Sequence, residues 1–224
     1  MSCELLNGIF PLLIQISLGV VCVFVLFYKR HIEDPKRPIK IWVLDITKQG
    51  FSALVAHFIS ILYSIIFTSS KGNQCAMYLL VFIIDNIIGI VIAYYLIKKI
   101  NEYAYKNEKN DLISGNYGDE ISYKIWCLQS IIWCGVVLLS RIICGIIIWI
   151  LHIPLLELSD LIYSPFSENP HIFLVLIMII CPLLINLIIM WVQDNILKSY
   201  KPYWLIDREL YHSFQETDPI QDTY

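Results

Sequence analysis

Apolar residues along this chain gather into five long runs, and polar residues fall mostly between them. The runs cover residues 9–28, 41–68, 75–97, 125–151 and 172–197. Each is long enough to cross the bilayer as an α-helix, since ~30 Å of hydrocarbon takes about 20 residues, and tilt absorbs the excess in the longer ones. The second run opens on Asp45, Lys48 and Gln49 in its first two turns. Residues 42–50 are therefore predicted to be helix in the interfacial region, continuing into the bilayer from Phe51. The pattern predicts an all-α, polytopic membrane protein. A bundle of about five transmembrane helices occupies residues 1–198, and a short tail occupies 199–224.

The flanking charges assign sides. Lys29, Arg30, Lys36, Arg37 and Lys40 lie between the first two runs; Lys98, Lys99, Lys106, Lys109 and Lys124 lie between the third and fourth; Lys198, Lys201 and Arg208 follow the fifth. The opposite connections are nearly bare: no Lys or Arg precedes the first run, only Lys71 joins the second to the third, and residues 152–171 have none. Because cytosolic loops are the ones enriched in Lys and Arg, the amino terminus is expected to be lumenal and the carboxyl terminus cytosolic. The first run has its basic cluster after it, opposite to a cleaved leader, so it reads as a retained span. Tyr28, Trp42, Tyr94, Tyr95, Trp126, Trp149 and Trp191 sit near the expected membrane edges, where rings with a polar tip are enriched.

The longest connection, 101–123, holds the turn formers Ser114, Gly115, Asn116, Gly118 and Asp119 and reads as a cytosolic loop, with room for a short helical piece before the turn. In the tail, Trp204, Leu205, Leu210, Tyr211 and Phe214 have rough helical spacing. That segment is either a surface-lying helix or disordered.

Composition narrows the classes. Of 224 residues 58% are hydrophobic and 16% charged, against roughly 25% charged in soluble domains, so no large soluble domain fits. No basic tract or zinc-finger spacing points to nucleic acid. The bilayer is the partner that the composition implies. GxSxG, HExxH and comparable catalytic motifs are missing, so neither an enzyme nor a cofactor is expected. Lys36 and Arg37 can contact anionic head groups, although setting topology suffices to explain them.

Five of the seven cysteines lie in or beside the runs, where Cys acts as a small apolar residue. Cys3 and Cys75 both fall on the expected lumenal, oxidising side. They form a candidate disulfide, against the alternative of two free thiols.

Ionisable groups inside the apolar runs are the candidate functional residues, because such groups are costly in lipid and face a partner in the bundle. At 1.5 Å per residue, Asp85 and Arg141 each lie ~15 Å from the lumenal end of their span, with His57 at similar depth. An Asp85–Arg141 pair is predicted, with His57 as a possible third member. Asp45, Lys48, Asp194 and Asn195 form a second polar layer toward the cytosolic side. These groups either lock helix order and register or line an ion or proton path. No matched pair of broken helices marks an inverted-repeat transporter, and Pro182 predicts one kink in the last span. Gly89 with Ala93, and Ser140 with Cys144 and Gly145, form small-residue faces for close helix packing within the bundle.

Several of these segments, in order, resemble the STIMATE family. They are Lys36-Arg37-Pro38-Ile39-Lys40-Ile41-Trp42-Val43-Leu44-Asp45-Ile46-Thr47-Lys48-Gln49, His57-Phe58, Cys75-Ala76-Met77-Tyr78-Leu79 with Asp85, Tyr117-Gly118-Asp119 with Trp126 and Gln129, Glu168-Asn169-Pro170, and Asn186, Trp191, Asp194 and Asn195. The resemblance implies a multi-pass endoplasmic reticulum protein. Such a protein acts as an adaptor that associates with a stromal interaction molecule, the lumenal calcium sensor. It would thereby regulate store-operated calcium entry and endoplasmic reticulum–plasma membrane contacts. Fungal relatives imply the vacuolar or another internal membrane instead. The tail departs from the animal members, which carry a long one ending in a basic cluster: Glu209, Glu216, Asp218 and Asp222 make it acidic. A small transporter or ion-conducting protein using His57, Asp85 and Arg141 is the competing expectation.

Overall fold

A computed structural model of the chain describes residues 9–34, 36–67, 74–118, 120–167, 169, 173 and 175–198. Among them the fold is all helical. In order come α1 (Ile9–Ile32), α2 (Ile39–Phe67), α3 (Gln74–Lys106), a 3-10 turn (Asn110–Leu112), α4 (Tyr123–Ile150) and α5 (His152–Tyr163). A second 3-10 turn (Ser164–Phe166), a π-helical turn (Leu176–Ile180) and α6 (Cys181–Leu197) follow.

α1 closes on Lys29, Arg30 and His31, cations that suit the negative end of a helix. Pro38 stands just before α2, its carbonyl accepting the Trp42 N–H at 3.1 Å. α3 runs on to Lys106, past the expected end at 97. Its polar continuation, from Lys98 to Lys106, drops out of a hydropathy pattern without ceasing to be helical. It stops at Glu108, which takes φ 54°. The Lys109 N–H reaches back to Ala104 O at 2.9 Å, a left-handed helix cap of the Schellman type. α5 lies within the connection 152–171, where no helix was expected. Leu155 and Ser159 form its buried face, and Pro154 occupies its first turn, where a missing N–H costs nothing.

Pro182 sits at the second position of α6, directly after the π-helical turn. Proline removes a donor and crowds the preceding turn, and the extra residue of a π turn is one way a helix absorbs that.

α4 is the central element, packed along both α2 and α3; α1 packs on α6, and α5 on α3. Its buried face runs Gln129, Ser130, Trp133, Val136, Val137, Ser140, Cys144, Gly145 and Ile148. Its opposite face exposes Ile131, Leu138, Leu139, Ile142, Ile146 and Trp149. Polar groups inside and aliphatic ones outside is the arrangement that a lipid solvent selects. Gln15–Ile32, Ala76–Lys106 and Tyr123–Ile150 are long and apolar enough to cross a membrane, and Cys181–Leu197 is a shorter apolar helix. The small residues pack inside the bundle: a Cβ on Gly89 would meet Cys144 Sγ at 3.7 Å, and one on Gly145 would collide with the Tyr63 hydroxyl. An apolar layer of Ala93, Ile97, Trp133, Val136, Val137 and Leu197 fills the middle of the bundle.

Candidate functional site: a buried charge cap and a separate ion pair

Ionised groups concentrate where α1 ends, α2 begins and α6 ends. Arg37, only 2% exposed, is the hub. Its Nε donates to Glu33 Oε2 at 2.8 Å, its Nη1 to Asp45 Oδ2 at 3.2 Å, and its Nη2 to Asp194 Oδ2 at 2.8 Å and Oδ1 at 3.1 Å. One planar fork thus serves three carboxylates, a geometry that arginine alone provides. The Arg37 carbonyl is held in turn by Arg30, at 2.8 and 3.1 Å.

Two lysines complete the interior. Lys29 Nζ lies 2.7 Å from Asp194 Oδ2, donates to Asn195 Oδ1 at 2.7 Å and to Trp191 O at 2.9 Å, and stands 5.0 Å over the Trp191 ring. Lys48 Nζ lies 3.3 Å from Asp45 Oδ1, donates to Gln129 Oε1 at 3.3 Å, and stands 4.9 Å over the Tyr117 ring. Tyr117 donates its hydroxyl to Asp45 Oδ1 at 2.7 Å. Lys198 pairs with Glu33 at the rim. Inside, Lys29, Arg37 and Lys48 face Glu33, Asp45 and Asp194 one for one, so the buried charge is balanced.

The groups outside the spans show the consequence. Burial works against both charged forms, but Asp194 beside Arg37 holds that guanidinium above its ordinary range, and Lys198 and Arg37 hold Glu33 below the usual carboxylate range. Burial and Asp45 together push the Tyr117 phenol up, so it stays a donor.

Gln129 ties the α3–α4 connection to the cap. Its Nε2 donates to Asn116 O at 2.7 Å, Ile113 O at 2.8 Å and Asp111 O at 3.2 Å, while its Oε1 accepts the Gly115 N–H at 3.1 Å. Ser114 Oγ donates to Leu197 O at 3.1 Å, closing the connection onto α6. Trp126 Nε1 donates to Leu44 O at 3.0 Å, joining α4 to α2. Gly118, at φ 85°, is the turn that a side chain would strain.

The second site stands apart. Arg141 on α4 pairs with Asp85 on α3 and donates to Asn86 Oδ1 at 3.2 Å. Tyr63 on α2 donates its hydroxyl to the Arg141 carbonyl. Asp85 Oδ1 is buried with no hydrogen-bond partner among the described residues. The predicted third member, His57, is not there: its position on α2 is exposed, and Asn86 and Tyr63 accompany the pair instead. Equal depth along a helix leaves the direction around it open.

The expected second layer is met in Asp45, Lys48, Asp194 and Asn195, but it is larger than expected. Arg37, Lys29, Glu33, Tyr117 and Gln129 belong to it too. Arg37 is not a free surface cation beside lipid; the linker folds back and buries it. Cys3, the Cys75 side chain and the tail 199–224 lie outside the described residues. Among the described residues no three His, Cys, Asp or Glu gather as metal ligands do.

A family model described as STIMATE family matches residues 75–199. A vacuolar membrane protein of Saccharomyces cerevisiae is 26% identical over 220 residues, covering 89% of this chain and 80% of the yeast protein. No solved structure matches the chain.

Proposed function

Because this chain belongs to the STIMATE family, we propose that it is a multi-pass adaptor of an internal membrane. In this reading it sits in the endoplasmic reticulum with its charge cap on the cytosolic side. It regulates store-operated calcium entry and contacts with the plasma membrane by binding another membrane protein, a calcium sensor of the stromal interaction molecule type. No catalytic step is involved. The yeast relative makes the vacuolar membrane the alternative compartment.

The observation that carries this reading is the way the cap freezes the α3–α4 connection. Gln129, Ser114 and Tyr117 hold that connection by its backbone or by buried side chains. The end of α3 therefore projects as a fixed ledge, with Tyr103 54% exposed and Tyr105 60% exposed. Lys98, Lys99, Lys106 and Lys109 stand exposed around them. Rigid tyrosines presented at low entropy cost suit protein recognition.

Conduction is the weaker reading for two reasons. The cap's charges are already matched to one another, so no net charge within it calls for a passing ion. Along α4, the buried Trp133, Val136 and Val137 stand between Gln129 of the cap and Arg141.

Proximity labelling from a tag on the carboxyl terminus tests the adaptor. Recovery of a calcium-sensor-like membrane protein with contact-site components is expected, and Tyr103→Ala with Tyr105→Ala should lower it several-fold. Recovery of general organelle residents alone, unchanged in the variant, would overturn the reading.

A further inference from the structure

The geometry points to a binding site for one anionic phospholipid between α1 and the start of α2, with an acyl chain along α1 and the head group at Lys36 and Lys40. α1 packs along α6, and on its other side an apolar groove of about 590 Å³ remains open. Ile16, Gly19, Val20, Val23, Phe24 and Phe27 line it, with Trp42 from α2.

The groove opens at the basic end of the helix, and its described lining on α1, residues 16–27, rises about 16 Å, room for an acyl chain of one leaflet.

The chemistry of the open end agrees. Lys36 and Lys40 are exposed, and among the described residues neither is in an ion pair, whereas Lys29, Arg37, Lys48 and Lys198 are all engaged in the cap. Among the described residues Arg30 meets only the Arg37 carbonyl and Asp34 is the exposed acid nearby, so Arg30, Lys36 and Lys40 less Asp34 leave a free charge of plus two. Trp42 closes the head of the groove edge-on against Phe27, with ring centres 5.9 Å apart. Gly19 leaves the groove open midway, since a Cβ there would meet nothing within 4 Å.

This site stands whether or not the adaptor reading does, and its test reads lipid alone. Native mass spectrometry of the full chain in detergent would compare phosphatidylserine with phosphatidylcholine of the same acyl chains. Two cations at the membrane surface predict a roughly thirtyfold preference for phosphatidylserine at one site per chain. Lys36→Gln with Lys40→Gln should bring that ratio close to one, and Gly19→Phe should weaken both lipids while the melting temperature holds. Equal retention of the two lipids by the unaltered chain would overturn the site. Retention indifferent to Gly19→Phe would also overturn it, because surface charge alone would then explain the preference. So would a dimer that Gly19→Phe abolishes, which would give the groove to a second copy.

Discussion

The two polar regions of this bundle are built on different plans. In the cap, each interior charge has at least two partners, drawn from α1, α2, α4, α6 and the connections between them. In the second site Arg141 has Asp85 and Asn86, and one Asp85 oxygen has no partner among the described residues. Redundant pairing makes the cap a clasp between segments. A single pair with a spare acceptor fixes the register of two neighbouring helices and little else.

Breaking the clasp should therefore cost most. Arg37→Gln leaves Asp194, Asp45 and Glu33 short of a cation, and stranding buried charge costs about 3–5 kcal/mol. We expect the largest fall in melting temperature in detergent, with proteolysis opening in the 107–122 connection. A fall no greater than that of a surface lysine variant would refute the clasp. Arg141→Gln should cost less, about 2–3 kcal/mol, because its side chain is 12% exposed. Adding Asp85→Asn should restore part of the loss, as two neutral amides strand no charge. A double variant as unstable as the sum of the singles would mean that the pair does not couple.

Tyr117→Phe removes one hydrogen bond to a carboxylate and should cost roughly 1.5–3 kcal/mol, read in the same melting experiment. The smallest effect is acid dependence at Glu33. Its folded value lies below the ordinary 4.5, so its contribution is present above that pH and is lost as pH falls through the folded value. The difference in melting temperature between the native chain and Glu33→Gln should shrink between pH 6 and the lowest pH at which the protein stays soluble. A difference independent of pH would remove Glu33 from the clasp.

The same contrast explains what could be read along the chain. A helix rises steadily, so counting residues from the ends of two apolar runs places Asp85 and Arg141 at one depth, and the structure pairs them. The count carries no direction around the axis, and His57, equally deep, is exposed. Asp45, Lys48 and Asp194 were visible because charge inside an apolar run is conspicuous. Arg37 was not, because a cation in a basic linker is explained by topology alone. Only the placing of Arg37 between α1, α2 and α6 gives it its partners. Gln129 looked like one polar residue among several, since the carbonyls it holds belong to a connection with no pattern of its own. α5 was missed because three prolines and scattered polar residues break the apolar run of 152–171, while Leu155, Ser159 and Ile162 still share a helical face.

Arg37 also sets an order of events during synthesis. It is separated from Asp194 by 157 residues, and Lys29 depends on the same distant carboxylate. Both cations thus leave the ribosome long before their acceptor exists and must wait at the water-exposed edge of the membrane until the last helix is inserted. A chain that stalls, or whose final helix fails to enter, keeps that basic linker uncovered. The cap is in this sense a completion signal, closing only when α1 and α6 are both in place.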